Sequence, residues 1–86
     1  MASEEREDDG EDLVKVSVAF SLREAQATEA ALGAAGVSYV VTVEAFGRTL
    51  FGSIRSGAVF SVESGQVRHS ALVLTDAGLE KGLLVD

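Results

Sequence analysis

Between Leu13 and Phe20 the chain alternates, with Val14, Val16, Val18 and Phe20 on one side and Lys15, Ser17 and Ala19 on the other. A period of two belongs to a half-buried strand. The pattern then changes at Ser21-Leu22-Arg23-Glu24. There a hydroxyl meets the backbone N–H three residues on while a carboxylate reaches back, the reciprocal arrangement of a capping box, so a helix is predicted to start. Leu22, Ala25, Leu32 and Ala35 fall on one helical stripe. Gly36 supplies the left-handed residue that ends the helix, and Val37 packs back on its last turn.

Alternation resumes from Val37 to Glu44, with Val37, Tyr39, Val41 and Val43 inward and Ser38, Val40, Thr42 and Glu44 outward. This is the second predicted strand. Residues 45–57 keep no regular period and hold Gly47, Gly52 and Gly57, Arg48 and Arg55, and the aromatics Phe46 and Phe51, so they read as a long loop. Ala58–Val62 makes a third strand, and Ser64 is placed to cap the next element.

Residues 66–75 admit two readings. As a strand they would come after a two-residue turn at Ser64-Gly65. As a helix they put Val67, Ser70, Ala71, Leu74 and Ala77 on one stripe and turn Arg68, His69 and Asp76 away from it. The helix is favoured because Asp76-Ala77-Gly78-Leu79 repeats the form of Ala34-Ala35-Gly36-Val37, a small residue, a glycine and an apolar residue, which is the shape of a helix stop. The order of elements is then βαββαβ, with a last strand near Gly82 to Val85 that is short or absent. The expected fold is α+β, a ferredoxin-like split βαβ with two helices on one face of an antiparallel sheet.

Charge divides the chain unevenly. The net charge is −7. Residues 1–12 carry seven acids against Arg6, whereas the rest is nearly neutral, with seven acids and six bases. Residues 1–12 are therefore predicted to be a disordered acidic tail ahead of a single domain, 13–86. A docking segment for a basic partner is the other reading of that tail. An apolar fraction of 47% excludes a wholly disordered chain, and no run reaches the roughly 18 apolar residues that cross a bilayer. The acidic start, which lacks the basic and apolar stretches of an export signal, points to the cytoplasm. With no cysteine in the chain, disulfides, thiolate metal sites and cysteine nucleophiles are excluded.

The segment Val59–Leu79, with Ala27–Val43 around Ala-Ala-Gly-Val, resembles the short bacterial domains grouped as prokaryotic signal-transducing proteins. The likeness covers roughly residues 13–82, and its motifs are helix stops and apolar periods. The last helix departs from the family pattern, since Gly65, Val67, Leu72 and Val73 replace a more charged, alanine-rich sequence. The resemblance implies a ferredoxin-like fold akin to the PII signalling proteins, in which a long loop between the second and third strands contacts partners. Residues 45–57 correspond to that loop. It implies no catalytic residue.

Candidate chemistry is sparse. His69 is the only histidine and falls on an outer helix face near Asp76, without the cluster of ligands that a metal needs. Glu29 lies near the Leu22–Leu32 stripe, where it is either partly buried or reaches out at the edge. No nucleophile–base pair or paired carboxylates can be assembled from spacing, so no enzyme activity, metal or cofactor is expected. In the loop, glycines beside Arg48 and Ser53 could offer N–H groups to an anion, with Arg48 or Arg55 as counter-charge, but the phosphate-loop signature is missing. An RNA-recognition sheet would place aromatics at Ala58, Phe60 and Glu63, and only one of these is aromatic, so nucleic acid is set aside.

The expectation is a non-enzymatic regulatory or partner-binding domain whose contact residues are Phe46, Arg48, Phe51, Ser53 and Arg55. The alternative is a small-molecule or anion sensor using the same loop. Outward Leu72 and Val73, and a sheet face of Ala19, Val40 and Val59, predict an apolar surface and hence a homodimer. So small a core is often supplemented by association.

Overall fold

The computed structural model describes residues 13–46 and 55–85. Their order is β1 (Leu13–Ala19), α1 (Leu22–Ala34), β2 (Val40–Phe46), β3 (Arg55–Glu63), a 3-10 turn (Ser64–Gln66), α2 (Val67–Asp76) and a second 3-10 turn (Glu80–Gly82). The fold is α+β. Three antiparallel strands form one sheet in the order β1-β3-β2, and the helices pack on each other and over β1 and β3. Residues 1–12 lie outside the described residues, as do Arg48, Phe51 and Ser53.

Local sequence explains both helices. Ser21 caps α1 from an extended backbone, its Oγ accepting the Glu24 N–H at 3.1 Å. Glu24 reaches back one residue further than a standard capping box, its Oε1 accepting from the Phe20 N–H at 3.0 Å. Residues 66–75 are helical, and the strand reading falls. Ser64 does not cap α2; it opens the 3-10 turn, and the residue at the cap position, Gln66, makes no side-chain cap bond.

The two helix stops share one geometry. Gly36 has φ 76° and Gly78 φ 81°. Val37 donates its N–H to the Leu32 carbonyl at 2.9 Å, and Leu79 does the same to Leu74 at 2.9 Å. Gly36 and Gly78 donate to Gly33 and Thr75 at 3.1 and 3.0 Å. Each is the paired 6→1 and 5→2 closure of a Schellman motif, built on the glycine that tolerates positive φ. Val37 is thus spent on ending α1, is buried, and lies outside β2.

A bulge corrects the reading of β1. Lys15 pairs with Ser61 but Ser17 pairs with Phe60, so Val16 is the extra residue. An inserted residue reverses the facing of everything beyond it. Val16 and Ala19 therefore enter the helix-side core with Leu32, Val37, Phe60, Val62 and Leu74. Val18 and Phe20 turn to the opposite face, over Gly57, where a Cβ would lie 2.7 Å from Val18 Cγ2 and 2.9 Å from Phe20 Cε1.

α1 buries Thr28 and Leu32, with Ala25 and Ala35 half-buried, whereas Leu22 is 73% exposed and Glu29 is exposed. Thr28 hides its polarity by donating Oγ1–H to the Glu24 carbonyl at 2.8 Å. The Ser70 hydroxyl of α2 is buried without a hydrogen-bond partner among the described residues. Tyr39 packs a tilted ring on Phe60, with centroids 5.5 Å apart.

The segment expected as a last strand makes one antiparallel bridge, Ser17 to Leu83, and Leu84 donates its N–H to the Val16 carbonyl at 2.8 Å. It lies along the outer edge of β1. Gly82 enters this contact so closely that a Cβ there would collide with the Val18 carbonyl oxygen. Among the described residues no helix is long and apolar enough to cross a membrane.

Candidate functional site

The loop expected over 45–57 is partly sheet. β2 runs to Phe46 and β3 begins at Arg55, with Phe46 opposite Arg55, so Ala45, Phe46, Arg55, Ser56 and Gly57 are strand residues. The aperiodic sequence hid them because Gly57 and Ser56 are poor strand formers that the pairing with β2 overrides. Phe46 and Arg55 are the last pair of the β2–β3 hairpin before the connection that joins its strands. The other three predicted contact residues, Arg48, Phe51 and Ser53, are not among the described residues.

The second predicted surface is also redrawn. Ala19 and Val59 are buried, leaving only Val40 of that trio exposed. Leu72 on α2 is 60% exposed and Val73 half-buried. His69 and Asp76 are exposed, and among the described residues no group of three or more potential ligands could hold a metal.

The more extensive apolar surface lies along β2, which alternation alone would half bury. Val41 pairs with Phe60 and Val43 with Ala58, so both valines face the helix side. The helices cover β1 and β3, and β2 projects beyond them. Val43 is consequently 76% exposed and Val41 38%, while Val40, on the other face, is 44% exposed. Leu22, at the start of α1, and Val43 line a shallow groove of about 310 Å³ with Ala19, Ala25 and Ala58. Sequence reasoning missed Val43 and Leu22 because periodicity reports which side a residue faces but not whether another layer reaches that far.

On the opposite face Lys15 of β1 and Glu44 of β2 form an ion pair at 3.1 Å that crosses β3. Thr42 Oγ1 donates to Glu44 Oε2 at 3.3 Å. The charge of β2 is therefore matched within the domain.

A cavity of about 270 Å³ lies between β1, α1 and the second 3-10 turn, lined by Ser17, Glu24, Thr28, Gly78, Lys81 and Gly82 among others. Its carboxylate accepts from the Phe20 N–H and its threonine donates to a helix carbonyl. These groups serve the backbone of α1.

No family model, curated protein or solved structure matches the chain. Among the described residues, the flank of β2 and Leu22 beside it bring together exposed apolar side chains, Val43 and Leu22 above all.

Proposed function

We propose that this chain is a non-enzymatic partner-binding domain that works through the uncovered flank of β2. The observation that carries the reading is the exposure of Val43 and Leu22 on either side of one groove, at the unpaired edge of the sheet. An edge strand offers a row of N–H and C=O groups to another chain, and side chains on alternate residues give that pairing its selectivity.

The element order supports a finer fold. Strand order β1-β3-β2, a helix after β1 and another after β3, and an antiparallel bridge on the outer side of β1 suit a ferredoxin-like split βαβ whose fourth strand is reduced to one bridge. The resemblance of Val59–Leu79 to prokaryotic signal-transducing domains points toward a regulatory role for the partner contact. The β2–β3 hairpin whose strands include Phe46 and Arg55 continues directly from the exposed strand.

The test compares wild-type chain with Val43→Lys and Leu72→Lys by affinity capture with mass spectrometry, together with self-association measurements. Binding to a partner or to itself that Val43→Lys abolishes and Leu72→Lys retains supports the β2 flank. Profiles unchanged by Val43→Lys, with no self-association in either chain, refute it.

A further inference from the structure

The two edges of the sheet are treated differently. β1 has a bulge at Val16 and the Leu83–Leu84 segment laid along its outer side. Bulges, lysines and covering segments are the devices that keep a sheet edge from pairing with another chain. Among the described residues β2 has none of them. Its sequence Val-Val-Thr-Val-Glu-Ala-Phe contains neither lysine nor proline, and its register with β3 is unbroken from Val40–Ser61 to Phe46–Arg55.

The pattern of β2 is also self-complementary. We propose that the occupant of the β2 edge is a second copy of this chain, paired antiparallel about a two-fold axis through Thr42. This rests on the β2 reading above and assigns its occupant. The register sets Thr42 opposite Thr42, Val41 opposite Val43, and Val40 opposite Glu44 of the second copy. Residues opposite each other share a face, so the valines of both copies meet on the helix side and the threonines on the other. The helix layers then lie on the same side of a continuous sheet of six strands. Leu22, beside Val43 in its own copy, stands next to Val41 of the second copy.

Charge selects both the occupant and the register. Glu44 is the single charged side chain in Val40–Phe46, and Lys15 of the same copy pairs with it. A strongly acidic or basic partner strand would find no free counter-charge along β2. About Thr42 the two Glu44 residues lie four positions apart, roughly 14 Å along the strand and beyond the screening length of about 8–10 Å. Centring on Val43 would bring them within roughly 7 Å and set Val41 against Ala45. Centring on Val41 would set Val43 against Tyr39, which already packs on Phe60.

The chain contains no cysteine, so a single introduced thiol reports the axis. Opposed Cα atoms in an antiparallel pair are about 4.5–5.5 Å apart, within disulfide range. Thr42→Cys is therefore expected to form a disulfide-linked dimer under mild oxidation. Val40→Cys sits roughly 14 Å from its counterpart and is expected to stay unlinked, whereas a mixture of Val40→Cys and Glu44→Cys chains links across. Sedimentation at micromolar concentrations is expected to show a wild-type dimer and a Val43→Lys monomer, with circular dichroism confirming that Val43→Lys is folded. A wild-type monomer, or equal linking by Thr42→Cys and Val40→Cys, overturns the proposal. If that monomer still loses a foreign partner on Val43→Lys, self-pairing fails while the β2 binding reading stands.

Discussion

Lys15 and Glu44, 29 residues apart in sequence and on the two edge strands, meet at 3.1 Å across the strand that separates them. Val59 lies between the β3 partners of these two residues and is fully buried, although it faces away from the helices. The lysine stem and the ion pair lie on a face over which the described residues lay no second layer.

Because Lys15 is largely exposed and Glu44 about one-third exposed, the pair itself is worth little. A double-mutant cycle with Lys15→Ala and Glu44→Ala is expected to give a coupling of about 0.2–1 kcal/mol. Urea unfolding at low and high salt checks it, and the coupling should shrink as salt rises.

Gly36 and Gly78 sit at positive φ, and a Cβ on either would meet no atom within 4 Å. The cost of Gly36→Ala or Gly78→Ala is therefore conformational and not steric. Each is expected to destabilise by about 1–2 kcal/mol, measured by urea unfolding. Near-equal values would reflect the shared geometry of the two stops.

In the middle of α2, Ser70 buries a hydroxyl that has no partner among the described residues. Ser70→Ala removes that desolvated group and raises helix propensity. The expected gain is about 1 kcal/mol, seen as a higher denaturation midpoint with an unchanged slope.

At Gly82 the obstacle is steric and comes from the backbone of β1, which cannot swing aside as a side chain would. Gly82→Ala is expected to push the Leu83–Leu84 segment off β1 at a cost of about 1–3 kcal/mol. Hydrogen exchange locates the loss: the Leu84 amide, bonded to the Val16 carbonyl at 2.8 Å, should exchange faster while the amide of Val37 keeps its protection.

Legibility in the sequence tracks the range of the interactions involved. The cap at Ser21 and the stops at Gly36 and Gly78 depend on residues within one or two turns, so short motifs announced them. The periodicity that places Val16, Leu32 and Leu74 inside is likewise local. The bulge at Val16 depends on where β3 pairs, and alternation therefore misplaced Val18, Ala19 and Phe20. The exposure of Val43 and Leu22 depends on how far the helix layer extends over the sheet. Nothing in Val40–Phe46 itself encodes that distance.

The Leu83–Leu84 segment along the outer side of β1 limits how many neighbours one molecule can recruit. If β2 pairs as proposed, that flank is occupied and β2 is the one open sheet edge among the described residues, so the sheet has room for a single added neighbour and its binding would end growth instead of propagating it. Mixtures would titrate to a stoichiometric end point, with no fibre or gel beyond it.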